Sequence, residues 1–478
     1  MKILINILLL FFLLSCSNHQ ENKNENKEYG KDSLQESRLN TTIKNVDLNE
    51  ILKTDTLKAL TIYSPTSYFL YKGEVMGFEY ELLEKIAKGL GLVLKIIVVD
   101  DMDKMFQQLN EGKGDIIAYG LTITKKRKEI VAFTESYLKI HQVLVQKDNK
   151  EKLQDITELG GKHISVRQNS SYIERIQNIT NEIGTDIYID TISGEFTTDD
   201  IIEMVHSGKI RYTVADNNIA YVNSTYYHDL DMLLPLSLSQ KLAWAVRKDS
   251  PLLLAKINSL IESHVRTKNY NIIYNKYFKN KRSFAKRLKS EYYSKKTGGI
   301  SEYDKLIKKY AKKINWDWRL LSSIIFQESR FNNHNISWVG AGGLMQIMPK
   351  TAKSLGVQNV HNPEQNIRGG TKYLKQIWEK WSNIPDSIQR IKFTLASYNC
   401  GYYHIVDAVS LAKTLKKDPE IWDREVEDCI LKLSKPKYYN QKHIKYGYAR
   451  GREPYNYVRD IFYRYENYKD LLENSNTE

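Results

Sequence analysis

The chain has 478 residues, which at about 100–200 residues per domain points to two to four domains. Hydrophobic residues at 41% and charged residues at 27% exclude a wholly disordered chain and allow sizeable cores. Lys and Arg number 71 against 57 Asp and Glu, and the resulting +14 suits an anionic partner without being steep enough to name nucleic acid. The three cysteines, Cys16, Cys400 and Cys429, exclude a disulfide scaffold and a zinc-finger array.

Lys2 is followed by an apolar run over residues 3–14, broken only by Asn6. It is too short for a bilayer core, which takes about 20 residues, and fits the core of a signal peptide. The run ends in Leu13-Leu14-Ser15-Cys16, which resembles the bacterial lipobox. That resemblance implies cleavage before Cys16, a diacylglycerol on its thiol and attachment to a membrane through the lipid. An ordinary signal peptide with an incidental cysteine is the alternative. On this reading residues 1–15 are a lipoprotein signal peptide. Residues 16–54, rich in Asn, Lys, Glu, Ser and Gln, are the lipidated cysteine and a flexible tether. Cys400 and Cys429 then stand in an oxidising compartment where a bridge is chemically open.

Residues 55–278 alternate two patterns. Leu57–Tyr63, Leu92–Val99 and Asp115–Tyr119 read as strands, and Phe78–Leu90 as a helix with Leu82, Leu83, Ile86, Ala87 and Leu90 on one side. A second set follows: strand His163–Val166, a helix near Ser171–Ile179, strand Tyr188–Ile192, a helix near Asp199–Ser207 and strand Tyr212–Ala215. Two α/β sheets in series imply two lobes around a cleft. The segments Gly77-Phe78-Glu79, Gly120-Leu121-Thr122-Ile123-Thr124-Lys125-Lys126-Arg127 and Tyr212-Thr213-Val214-Ala215-Asp216 resemble the type-3 periplasmic solute-binding domains for polar amino acids. The resemblance implies that Thr122 and Arg127 hold a ligand carboxylate and Asp216 its ammonium, with Tyr68 and Phe69 in place of that family's aromatic sandwich. A guanidinium fork suits a carboxylate and an opposed Asp suits an ammonium, so the set reads a zwitterion. A surface Arg and a helix-capping Asp are the bland alternative. The second-lobe segment Arg167-Gln168-Asn169-Ser170-Ser171 departs from the family's Gly-rich turn, which leaves an amino acid, a peptide or a wall fragment open as ligand.

Residues 279–299 form a basic linker, with eight Lys or Arg between Lys279 and Lys296 against one acid, Glu291, and Gly298-Gly299 after them. A solvated helix-and-linker segment or contact with anionic lipid or wall polymer both fit it. Residues 300–478 lack strand alternation. Ser301 and Asp304 predict a capped helix through Lys313, and Asp317 predicts a second helix from Trp318 to about Ser329. Glu328 falls on the apolar stripe of Leu320, Leu321, Ile324 and Ile325, with no cation on that face. A carboxyl so placed has a raised pKa, the property a general acid needs near neutral pH. A solvated Glu at a frayed helix end is the alternative.

Around Glu328 stand Glu328-Ser329-Arg330-Phe331, Gly340-Ala341-Gly342-Gly343-Leu344-Met345-Gln346 and Ala396-Ser397-Tyr398-Asn399-Cys400-Gly401, in that order. They resemble the lytic transglycosylase domain related to goose-type lysozyme, and with the preceding region the F-type membrane-bound murein transglycosylases. The resemblance implies an α/β two-lobed periplasmic-binding-protein-like domain plus a mainly α lysozyme-like domain. Glu328 is the implied catalytic acid/base, with Ser337, Gln346, Met348, Tyr398, Asn399 and Glu453 lining a glycan cleft. It further implies peptidoglycan as substrate, 1,6-anhydro products, an amino acid or muropeptide effector, and a place on the outer membrane facing the periplasm. A lysozyme-like hydrolase and a solute sensor with an inert second domain are the rivals. No metal, cofactor or nucleic acid is implied, since the ten histidines are scattered and no H-E-x-x-H occurs. From Ser301 onward 29 basic and 20 acidic residues carry +9 of the charge, on the half expected to meet an acidic polymer.

Overall fold

A computed structural model describes residues 46–290 and 298–473. The signal peptide, Cys16, the tether as far as residue 45 and residues 291–297 of the basic linker lie outside the described residues. Among the described residues no helix is long and apolar enough to cross a membrane.

The first lobe is a mixed sheet in the order Val93–Val98, Thr56–Thr61, Ile116–Thr122, Gln240–Val246, Ala132–Phe133, with Leu138–Ile140 also paired to Gln240–Val246. Its first three strands run parallel, with Leu57 opposite Leu94 and Ala59 opposite Ile116. Gln240–Val246 returns antiparallel, with Leu242 opposite Thr122. This strand closes the lobe after the chain has built the second one, so its partners are far away in sequence. Helix Phe78–Leu90 starts after Gly77 and stops at Gly91, whose φ of 72° is the left-handed C-cap conformation that favours glycine. The second lobe sets Gln142–Lys147 antiparallel between Thr213–Asp216 and Leu230–Asp231 and adds the parallel pair His163–Arg167 and Tyr188–Ile192. The two lobe crossings meet where Gln142 Nε2 donates to Gln240 Oε1 at 3.3 Å. The expected two lobes around a cleft are therefore present.

Two sequence expectations about the ends of this domain change. Residues 46–54 are not tether: Leu48–Thr54 is a helix with Ile51 buried, and Asp47 accepts hydrogen bonds from Leu252 N and Leu253 N at 3.0 and 2.8 Å. The start of the basic linker is not solvated chain either. Helix Lys281–Leu288 buries Phe284 in the first-lobe core, and the Arg287 guanidinium lies over the rings of Phe69, Tyr277 and Phe284. A one-sided apolar contact inside a strongly basic stretch is what composition hides.

The second half is helical: Asp304–Lys313, Trp318–Ser329, Pro363–Lys380, Ser387–Cys400, Tyr402–Thr414 and Arg452–Glu473 are its main elements. Its core gathers Leu321, Ile324, Ile325, Met345, Ile367, Phe393, Trp422 and Ile461. The closing helix Arg452–Glu473 belongs to both cores. Tyr457, Val458 and Ile461 pack in the helical half, whereas Tyr468, Leu471 and Leu472 pack in the core of the first lobe. Tyr68 Oη donates to Asn467 Oδ1 at 3.0 Å and Tyr468 Oη to Gly73 O at 2.6 Å, so the described residues form one compact unit.

Candidate active site and solute cleft

Asp317 caps the helix carrying the acid by accepting from Arg319 N at 2.8 Å, and it also accepts from Tyr465 Oη at 3.1 Å. Eleven residues on, Glu328 occupies the penultimate position of that helix. The helix stops abruptly because Arg330 and Phe331 both adopt positive φ, 53° and 60°. Two consecutive non-glycine residues in the left-handed region store strain beside the acid.

Glu328 is largely enclosed by protein. Tyr457 Oη donates to Glu328 Oε1, and among the described residues that is its one hydrogen-bond partner. Burial pushes the carboxyl from 4.5 up to about 7, with the Tyr457 bond working weakly in the opposite direction. Burial and the nearby Glu328 charge hold the Tyr457 and Tyr398 hydroxyls well above their ordinary range. A carboxyl that keeps its proton to about pH 7 can donate it and then take one back.

The loop facing the acid hangs from a buried amide. Asn366 accepts from Met345 N at 2.8 Å and donates to Gly342 O at 3.0 Å and Val360 O at 2.8 Å. Tyr398 Oη donates to Met345 O at 2.7 Å, and Ser329 Oγ lies 2.8 Å from Leu344 O, which ties the loop to the acid's own helix. Gly343 has φ 77°, and a Cβ there would lie 2.1 Å from Val360 O, so the motif's glycine is required by both backbone and space.

The remaining sequence-predicted residues distribute as follows. Ser337 Oγ accepts from Ala341 N at 3.0 Å and shapes the exposed turn before the loop. The Gln346 side chain donates to Asn335 O and Gly343 O at 3.0 and 2.9 Å, so its amide nitrogen serves the loop itself. Met348 is exposed just before helix Pro349–Leu355, and Asn399 keeps a buried Oδ1 without a partner. Glu453 is exposed at the start of the closing helix, near enough to Cys400 to help burial push that thiol up to about 12. Cys400 and Cys429 are free thiols. The sequence reading assigned Tyr457 no role. Only the fold brings it to Glu328, 129 residues away.

In the solute-binding half, Thr122, Arg127 and Asp216 meet in one cleft, also lined by Glu79, Tyr119 and Arg167. Arg127 Nη1 donates to Thr122 O at 3.1 Å and Nη2 to Asn169 O of the other lobe at 3.4 Å. Tyr172 Oη donates to Asp216 Oδ1 at 3.3 Å, and burial pushes Asp216 up to about 7. Tyr68 and Phe69 do not face this cleft. Both are buried, Tyr68 against Asn467 of the closing helix and Phe69 edge-on to Tyr277. The closing helix supplies the cover that large aromatics require, which the local sequence does not reveal. Among the described residues no cluster of His, Cys, Asp or Glu is arranged to hold a metal ion.

Fold and sites together define a class: a two-lobed solute-binding domain joined to a helical domain whose enclosed acid, Glu328, is held by one tyrosine. Residues 58–280 match the bacterial extracellular solute-binding proteins, family 3, and residues 305–421 match the transglycosylase SLT domain. The chain is 33% identical to a membrane-bound lytic murein transglycosylase F of Desulfosudis oleivorans, over 85% of this chain and 88% of that protein. It is 32% identical to the protein of that name from Saccharophagus degradans, over 90% and 84% of the two chains. Among solved structures, an ancestral arginine-binding protein bound to arginine shares 27% identity at a TM-score of 0.42, over 47% of this chain and 98% of that one. The chain belongs to the membrane-bound lytic murein transglycosylase F family: it is a lytic murein transglycosylase acting on peptidoglycan, with a domain for a small solute.

Proposed function

We propose that this protein cleaves the β-1,4 bond between N-acetylmuramic acid and N-acetylglucosamine without water, leaving 1,6-anhydro ends. The observation that carries the reading is an enclosed carboxyl, Glu328, held by Tyr457 and protonated up to about pH 7. Most glycosidases set two carboxylates across the scissile bond. Burial and the Tyr457 bond alone shift the Glu328 carboxyl, with no neighbouring carboxylate among the described residues contributing, which favours a substrate-assisted route. Protonated Glu328 donates to the glycosidic oxygen while the muramyl N-acetyl oxygen stabilises the positive charge at C1. Glu328, now a base, takes the proton of the muramyl 6-hydroxyl, which closes on C1. Ser337, Gln346, Met348, Tyr398, Asn399 and Glu453 shape the glycan cleft around it.

The solute-binding half then acts as a sensor of an amino acid or muropeptide, held by Thr122, Arg127 and Asp216. The closing helix supports coupling, because it touches the acid through Tyr457 and the first lobe through Asn467 and Tyr468. Cys16 carries the lipid that places the enzyme on the outer membrane facing the periplasm; loss of labelled fatty acid from a Cys16→Ser variant tests this. For the reaction, mass spectrometry of digested peptidoglycan decides. Anhydro-muropeptides from the wild type and none from Glu328→Gln are expected, whereas reducing ends would establish the hydrolase reading instead.

A further inference from the structure

The solute cleft contains a second guanidinium that the zwitterion-reading set does not use. Arg167 ends strand His163–Arg167 and is 3% exposed. Its Nη1 has no hydrogen-bond partner, its Nη2 reaches Met102 Sδ at 3.8 Å, and its guanidinium lies over the Tyr119 ring, 5.9 Å from the centroid. Among the described residues no carboxylate forms an ion pair with it. Arg127 Nη2 lies 3.1 Å from the same sulfur, so two buried guanidiniums converge on one end of the cleft. Both stay charged at any physiological pH, and buried charges persist where something pairs them.

The surroundings of Arg167 are arranged for an anion. Ser170, on the same segment, has a buried Oγ with no partner. Ser170 is also the N-cap of the 13-residue helix Ser171–Ile183, whose positive end therefore opens at the cleft. Acceptors gather on other elements. Asp216 begins the segment that also brings Asn218, whose buried Oδ1 is unpartnered, and Glu79 offers an unpartnered Oε2 from the first lobe. The cleft thus holds two guanidiniums, Arg127 and Arg167, and two carboxylates, Asp216 and Glu79, of which Glu79 accepts from Tyr137 Oη at 3.3 Å. What points to a second anion is local to Arg167: an unpartnered Nη1 beside the unpartnered Ser170 Oγ at a helix N-terminus, a position that a zwitterion with an uncharged side chain leaves without a charged partner.

We propose that the cleft takes an acidic amino acid, with its α-carboxylate on Arg127, its ammonium on Asp216 and its side-chain carboxylate on Arg167 and Ser170. The proposal rests on the reading of this cleft as an amino-acid site and narrows it to one charge class. Isothermal titration of the whole chain with L-glutamate, L-aspartate, L-glutamine, L-asparagine and L-arginine tests it. One of the two acids is expected to bind roughly 10–100-fold more tightly than its own amide, the difference a charge-assisted pair supplies, with arginine weakest. Arg167→Gln is expected to erase the acid-to-amide preference while amide binding persists. If that variant does not fold, the wild-type acid-to-amide ratio decides alone. Amides binding as tightly as acids, or arginine binding most tightly, overturns the acidic class and leaves the amino-acid site standing. Binding of none of the five overturns both.

Discussion

Replacing Glu328 by Gln separates catalysis from stability, and the structure gives both signs. The carboxyl has a pKa of about 7 in the fold against 4.5 when exposed, with burial as the largest cause. The folded protein therefore holds the proton more tightly than the unfolded chain. Below about pH 4.5 the acid is neutral in both states and carries no penalty. Between 4.5 and 7 the unfolded chain ionises first, so stability falls as pH rises, and above about 7 the penalty is constant. At about 1.4 kcal/mol per pH unit across that window, the wild type loses roughly 3 kcal/mol at pH 8. Gln is isosteric, uncharged at every pH and still able to accept from Tyr457. Urea unfolding is expected to find Glu328→Gln more stable than wild type by about 2–3 kcal/mol at pH 8, with less than about 0.5 kcal/mol between them at pH 4.5. The same variant is expected to release no muropeptides. A stability gap of equal size at both pH values would refute the account of Glu328 as a desolvated acid.

Tyr457→Phe removes the one bond that lowers the Glu328 pKa, so the alkaline limb of the pH–rate profile is expected to move above pH 7. The rate at lower pH should fall roughly tenfold, since a positioned partner of the acid is lost; a merely structural role would leave the limb where it is. Asn366→Ala strips three buried hydrogen bonds from the loop facing the acid, and denaturant unfolding is expected to show a loss of about 2–4 kcal/mol together with reduced activity. Gly73→Ala places a Cβ 2.4 Å from the Phe331 ring at φ 75°, and is expected to lower stability by about 1–3 kcal/mol in the same assay.

What the sequence disclosed followed local rules. Helix Trp318–Ser329 was legible from one capping Asp and one apolar stripe, and helix Phe78–Leu90 from its stripe and the glycines near its C-terminus. The acid was legible because position, periodicity and neighbouring motifs agreed. Strand Gln240–Val246 was not assigned, since a short apolar run looks alike in a strand and a buried helix, and its partners lie over 100 residues upstream. Tyr68 and Phe69 were assigned to the ligand by family resemblance, yet the local sequence does not say that they meet a helix about 400 residues later. Arg167 was visible as a departure from pattern, and only its burial without an ion pair gave that departure a chemical meaning.

The closing helix explains why the two halves are best treated as one body. Tyr457 and Tyr468 are eleven residues apart, about 16 Å along the axis at 1.5 Å per residue. One end holds the acid, and the other is roofed by the hairpin of Phe69–Tyr71 and Glu74–Met76, whose turn glycine accepts from Tyr468. The Cβ that Gly73 lacks would meet Phe331 and Phe326, both within five residues of Glu328. That hairpin runs directly into Gly77 and helix Phe78–Leu90, whose Glu79 lines the solute cleft. The cleft wall and the acid are thus joined by two short, packed routes, the hairpin and the closing helix. A packed connection of this kind transmits displacement only if the cleft wall itself moves. The residues to watch are therefore Ser67 and Glu79, where the ligand's side of the hairpin begins.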